Sequence, residues 1–217
     1  MKKIVWDWNG TLFDDVQLCL SCINALLRRY QVPVLKDLSA YRKVFGFPIK
    51  DYYREIGFDF SKTPFEKLAQ EYMDMYQDRS YQCDLVTGAL DVLSRAKEMG
   101  IHQTVLSASR KDYLLSQIRA KGIQNHVDDI YGIENIYAKS KLDLAKVYKE
   151  TCSKEDEIWF VGDSLHDFEA ANVMGANCLL VTSGHQSYDR LKETGVPVFD
   201  SLENCLEVIY EGNTNRR

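Results

Sequence analysis

The sequence lacks any long hydrophobic run: no window of about 18 uncharged apolar residues occurs, so no membrane-spanning helix is expected. It also lacks a basic tract beyond the terminal Arg216-Arg217 pair, and 27 Lys and Arg against 32 Asp and Glu leave a net charge of −5. That balance gives nucleic acid no electrostatic footprint. The opening Met-Lys-Lys-Ile-Val-Trp-Asp meets an acid after only three apolar residues, so no secretory signal is expected. A zinc-site pattern is missing too. Cys19 and Cys22 form a Cys-x-x-Cys, but neither a second pair nor a nearby His accompanies them. The six cysteines, scattered along the chain, read as reduced cytoplasmic thiols, and this pair as two positions on a half-buried helix. Internal repeats, low-complexity tracts and flexible linkers are absent.

What is present is a soluble globular composition, with 45% hydrophobic and 27% charged residues in 217, enough for one large domain or one domain with a smaller insertion. Lys3–Trp6 is a short apolar run ending abruptly in Asp-Trp-Asn-Gly-Thr, the pattern of a buried strand that delivers a loop. The chain then reads as successive helices over Asp15–Tyr30, Leu38–Phe45, Ile49–Ile56 and Pro64–Asp78, broken at Gly46-Phe47-Pro48 and Gly57. From about Val86 the rhythm changes. Helices over Ala89–Met99, Lys111–Lys121, Ser140–Glu150 and Leu165–Met174 alternate with strands over His102–Leu106, Asp129–Ile133, Glu157–Val161 and Cys178–Val181. Such alternation predicts an α/β fold, a Rossmann-like parallel sheet with helices on both faces. The helical stretch 15–82 reads as an all-helical unit inserted into a core made of 1–14 and 83–217. The last residues, Glu211–Arg217, are polar and expected to fray.

In an open parallel sheet, ligands bind beyond the carboxyl ends of the strands. The residues following the apolar runs are therefore the informative ones: Asp7, Asn9 and Thr11; Ser107, Ala108 and Ser109; Gly162, Asp163, Ser164 and Asp167. Three carboxylates, Asp7, Asp163 and Asp167, converging on one sheet edge would repel one another unless a positive charge lay between them, most simply a metal ion. An all-oxygen set with open positions suits Mg²⁺ together with a substrate phosphate. The donors such a phosphate needs are also at hand: the hydroxyls of Ser107 and Thr11, backbone N–H groups in the turn at Gly10, and one lysine, Lys139 or Lys141. A carboxylate can attack phosphorus and form an aspartyl-phosphate, dividing hydrolysis into two easier steps.

Asp7-Trp8-Asn9-Gly10-Thr11-Leu12-Phe13, Val105-Leu106-Ser107, Lys139 or Lys141, and Val161-Gly162-Asp163-Ser164-Leu165-His166-Asp167 resemble the four ordered motifs of the haloacid dehalogenase-like superfamily. The similarity is greatest to its phosphoglycolate-phosphatase-like branch and covers nearly the whole chain, the inserted helices resembling that branch's cap. The resemblance implies Asp7 as nucleophile and Mg²⁺ ligand, and a metal bond from the Asn9 backbone carbonyl. It further implies Asp163 as a direct ligand, Asp167 acting through a metal-bound water, and Ser107 on the phosphoryl oxygens. The phosphate-neutralising lysine is less fixed. Lys139 has the usual distance to Asp163 but lacks the prolines of the Lys-Pro-x-Pro form, whereas Tyr137-Ala138-Lys139-Ser140-Lys141 resembles a Tyr-Ala-x-Ser-Lys variant, so Lys141 is preferred. Within the inserted helices, Tyr41–Pro48 resembles the cap segment that faces the site, making Arg42 or Lys43 a candidate contact for a second anionic group. The aromatics of that region, at helical spacing, read as core of a small bundle.

The departure is Asn9. The resemblance calls for an Asp there as general acid and then base, and proton transfer of that kind is typically worth about 10²–10⁴ in rate. An amide cannot supply it. A leaving group that needs no acid, as in an acyl phosphate or a phosphoanhydride, would escape the loss; His166, His185 and Asp14 are the candidate substitutes. The leading expectation is a cytoplasmic Mg²⁺-dependent phosphatase of a small phosphorylated metabolite, monomeric or homodimeric, with neither nucleic acid nor membrane as partner. A catalytically weakened protein that binds metal and phosphorylated ligand as a sensor or regulator is one alternative, and a phosphomutase is another. A dehalogenase has no use for Asp163 and Asp167.

Overall fold

In the computed structural model, residues 1–133 and 140–211 are described. Six parallel strands form one sheet in the order β3-β2-β1-β4-β5-β6. They are β1 (Lys2–Trp6), β2 (His102–Arg110), β3 (Asp129–Ile133), β4 (Glu157–Gly162), β5 (Asn177–Val181) and β6 (Val198–Phe199). The direction in which strands are added reverses between β1 and β4, which opens the crevice where α/β sheets bind ligands. Pairing of Trp6 with Val161 brings the ends of β1 and β4 level, so the residues that follow, Asp7 and Asp163, emerge side by side.

Period-two alternation divides the sheet side chains between two cores. Ile4, Trp6, Val105, Trp159, Val161, Leu179 and Val181 face one, filled from the helices α5 (Ala89–Glu98), α6 (Lys111–Ala120) and α10 (Leu202–Glu211). Val5, Leu106, Ile158, Phe160, Cys178 and Leu180 face the other, covered by α7 (Lys141–Glu150), α8 (Leu165–Met174) and Leu191 of α9 (Tyr188–Lys192). Burial of both faces explains why these strands read as continuous apolar runs.

Between β1 and α5 the chain builds α1 (Val16–Arg29), α2 (Leu38–Val44), α3 (Ile49–Glu55) and α4 (Phe65–Ser80), which share a separate core around Ile23, Leu26, Leu27, Tyr53 and Leu68. Exit and return run side by side. Phe13 bridges Leu85, the Val86 N–H donates to Leu12 at 2.9 Å, and the Asp14 N–H donates to Asp84 at 3.0 Å. This pinch leaves the sheet order undisturbed by the insertion. The expected helices and strands all form, with ends shifted by a residue or two except at β2. There the strand runs on to Arg110, shifting register against β3 after Leu106, so that Ser107, Ala108 and Ser109 lie within the strand end rather than in a following loop. Elements α9, β6 and α10 were not among those expected from the sequence. Lys139 and residues 212–217 lie outside the described residues.

Candidate active site

Strand β1 ends by delivering Asp7, whose N–H donates to the Val161 carbonyl at 2.9 Å, so β4 fixes the position where the first loop begins. The turn that follows is closed from within. Gly10 (φ +77°) donates its N–H to the Phe13 carbonyl at 2.8 Å, and Thr11, Leu12 and Phe13 donate theirs to Trp8. A left-handed φ favours glycine, and a Cβ at position 10 would lie 2.6 Å from Asp163 Oδ2. The Gly10 N–H, expected to face a phosphate, is thus used by the turn itself.

Oxygens of Asp7, Asp163 and Asp167, all buried, lie within 4.8 Å of one another. Lys141, the first residue of α7 and 4% exposed, places its Nζ on both Asp7 Oδ1 and Asp167 Oδ1. Of the two lysine candidates, Lys141 reaches the cluster, and Lys139 lies outside the described residues. Asp167 uses its other oxygen at the start of α8, accepting from the N–H groups of Asp163 (3.0 Å) and Ser164 (2.9 Å) and from Ser164 Oγ (2.6 Å). The Thr11 hydroxyl lies 3.3 Å from Asp7 Oδ2 and 3.4 Å from Asp163 Oδ1.

Charge decides what the cluster can hold. Burial lifts the Asp7 carboxyl well above its ordinary range against the pull of Lys141, and burial likewise pushes Asp163 up to about 6. Burial would lower Lys141, but Asp167 and Asp7 hold it above its usual value as an ammonium. Lys141 thus pairs with two of the three carboxylates, and His185 adds positive charge beside Asp163. An oxygen donor set with excess negative charge fits a hard divalent cation. Gly184 leaves room for this arrangement, since a Cβ there would stand 2.0 Å from Asp163 Oδ2.

Asn9 points away from the three carboxylates. Its Nδ2 donates to Asp15 Oδ2 at 2.8 Å and to the Tyr76 hydroxyl at 3.0 Å; its Oδ1 accepts from Ser109 Oγ at 2.7 Å and from Ser107 Oγ at 3.4 Å. Ser107 also accepts the Ser109 N–H at 3.0 Å, which sets its hydroxyl on the Asn9 side of the site.

The guanidinium of Arg42, a candidate contact for a second anionic group, donates to the carbonyls of Gly184 (2.8 Å) and Ser183 (2.9 Å), clamping α2 onto the loop after β5. The same loop brings in His185, which the sequence offered as a substitute acid but not as a partner of Asp163. The His185 N–H donates to Asp163 Oδ2 at 2.5 Å, its Nε2 meets Asp15 Oδ1 at 3.2 Å, and its Nδ1 meets the Tyr41 hydroxyl at 2.9 Å. Asp15, 1% exposed, was not singled out from the sequence. A signal was available: Ser183, Gly184 and His185 follow the apolar run of β5 as Asp7 follows that of β1. Of the other substitutes considered for the missing acid, His166 pairs with Glu169 at 3.1 Å beneath the Phe47 ring, and Asp14 is exposed at the pinch.

A parallel α/β sheet with helices inserted after its first strand, and three buried aspartates at the β1/β4 crevice, two of them bridged by a lysine, define a hydrolase class. The sequence model of the haloacid dehalogenase-like hydrolases matches residues 4–181, and the chain belongs to that family. A relative from Caldanaerobacter subterraneus subsp. tengcongensis, provisionally assigned as the pyrophosphatase PpaX, is 23% identical over 96% of this chain and 94% of its own. Among solved structures, a predicted phosphatase from Clostridium acetobutylicum superposes with a TM-score of 0.79 at 21% identity, covering 97% of this chain and 98% of the other. The haloacid dehalogenase-like protein SP0104 from Streptococcus pneumoniae does so with 0.80 at 18% identity, over 94% and 96%.

Proposed function

We propose that the protein is a Mg²⁺-dependent phosphatase of small phosphorylated metabolites, working through an aspartyl-phosphate on Asp7. The observation that carries this reading is the buried trio Asp7, Asp163 and Asp167, with Lys141 paired to two of them. Asp7, Asp163 and the Asn9 backbone carbonyl would hold the metal, with Asp167 behind it. Bound there, the metal would supply the positive charge that keeps Asp7 ionised and draws the substrate phosphate in. Lys141 neutralises charge on Asp7 and the phosphoryl group, Ser107 and Thr11 offer hydroxyls to its oxygens, and Asp7 presents the attacking oxygen. Residues 15–82 serve as a cap that excludes water. The six free cysteines support a cytoplasmic setting.

Mg²⁺-dependent phosphate release, measured on a panel of sugar phosphates, nucleotides, phosphoglycolate, pyrophosphate and acetyl phosphate, tests the proposal. Asp7→Asn is expected to abolish every activity found in the parent while retaining the parent's circular dichroism; undiminished release by that variant would remove Asp7 as nucleophile. Tight binding of phosphorylated compounds with no release from any of them would favour the sensor reading, for which Asn9 is the motivating residue.

A further inference from the structure

The surroundings of Asn9 narrow the chemistry this site can perform. Asp15 is a buried carboxylate that collects four donors: Asn9 Nδ2, the Tyr76 hydroxyl (2.6 Å) and Cys19 Sγ (3.4 Å) on Oδ2, and His185 Nε2 on Oδ1. A carboxylate only accepts, so it compels position 9 to turn a donor toward it. The amide satisfies this, leaving its oxygen for Ser107 and Ser109. A second carboxyl group at position 9 would face Asp15 across a hydrogen-bond distance, and a proton it took up would be held between the two rather than turned to a substrate. The protic neighbours are engaged as well, since His185 is held at both ring nitrogens, by Asp15 and by Tyr41, and Tyr76 is turned onto Asp15.

We propose that Asp15 is a positioning residue that fixes the orientation of the Asn9 amide, which has no proton to give a leaving group, and that the site therefore takes substrates whose leaving group departs without a proton. These are acyl phosphates and phosphoanhydrides, in preference to alkyl phosphomonoesters. The proposal rests on the phosphatase reading above. In the first step an Asp7 oxygen bonds to phosphorus as the bond from phosphorus to the leaving oxygen breaks. The electron pair departs on that oxygen, as a carboxylate from an acyl phosphate or as a phosphate from an anhydride. Water then cleaves the aspartyl-phosphate, restoring the Asp7 carboxylate and releasing inorganic phosphate and a proton to solvent.

The experiment measures kcat/KM with Mg²⁺ for acetyl phosphate, pyrophosphate, 4-nitrophenyl phosphate, phenyl phosphate and glycerol phosphate, in the parent, in Asn9→Asp and in the exchanged double variant Asn9→Asp/Asp15→Asn. The parent is expected to favour acetyl phosphate or pyrophosphate over glycerol phosphate by at least the roughly 10²–10⁴ that a general acid is worth. Asn9→Asp alone should keep that preference, and the exchanged pair, in which position 15 can donate to a carboxylate at position 9, should narrow it. A parent that hydrolyses glycerol phosphate as readily as acetyl phosphate would overturn the proposal while leaving the phosphatase reading standing. So would a single Asn9→Asp change that narrows the preference as far as the double. Turnover of no probe at all would defeat the phosphatase reading and this proposal with it. Hydrogen exchange provides a readout independent of turnover: the Asn9 side-chain amide protons should be protected in the parent and exchange freely in Asp15→Ala, and equal protection in both would deny Asp15 its positioning role.

Discussion

Asn9 shows how much one side chain can say before and after its neighbours are known. In the sequence it registers as a missing acid; in the structure it is a donor required by Asp15 and an acceptor for Ser109. Asp7, Asp163, Asp167 and Lys141 were legible because each stands at a fixed place relative to an apolar run or a helix start. Asp15 was not, because its role comes from Tyr76 and His185, far away in the sequence. The Asp15–His185 pair carries a pH signature. Burial opposes the charged imidazole, but Asp15 lifts His185 to about 9, above its ordinary 6.5. The pair's stabilisation is therefore complete below about pH 6.5 and is lost as pH rises through about 9. Thermal melts in metal-free buffer should show Tm falling across that window, and His185→Gln should flatten the slope; an unchanged slope in that variant would exclude the pair as its source.

At the scale of elements, the loop between β5 and α9 does more than its length suggests. Its Gly184 gives Asp163 space, its His185 N–H holds Asp163, and its carbonyls receive Arg42. Arg190 of α9 in turn donates to the carbonyls of Arg42 and Phe45, and Gln186 reaches Phe45 at 3.1 Å. One short segment thus joins the inserted helices to the carboxylate cluster. We predict that Gly184→Ala, whose methyl would collide with Asp163, lowers Mg²⁺ affinity at least about tenfold, a loss of about 1.4 kcal/mol. Calorimetry giving the parent's affinity would show that the close approach is dispensable. The docking was illegible because residues 42–47 and 183–190 meet only in three dimensions. Helix α10 was legible but passed over: Leu202, Cys205, Leu206 and Ile209 keep helical spacing toward the core. The two-residue β6 offers no such pattern, and β2 extends past its apolar stretch only because Arg110 pairs with Ile133.

For the whole molecule, the order of strands converts separation along the chain into proximity. Asp7 and Asp163 lie 156 positions apart, yet the pairing of β1 with β4 sets them at one crevice, and Lys141 reaches both Asp7 and Asp167 from the start of α7. Alternating strands and helices made the α/β core readable, and a run of helices after a single strand made the insertion readable. Which face of the insertion meets the core depended on side chains such as Arg42 whose partners are backbone carbonyls, and these leave no mark in a sequence. On the reading proposed above, this convergence makes Asp7 a phosphoryl acceptor. The most direct test is to mix the protein with acetyl phosphate and Mg²⁺, quench in acid within the first turnovers, and map the phosphorylated peptide by mass spectrometry. The expected result is a phosphoryl group on Asp7, absent when Mg²⁺ is omitted; a label on another residue, or phosphate release that persists in Asp7→Asn, would contradict that reading.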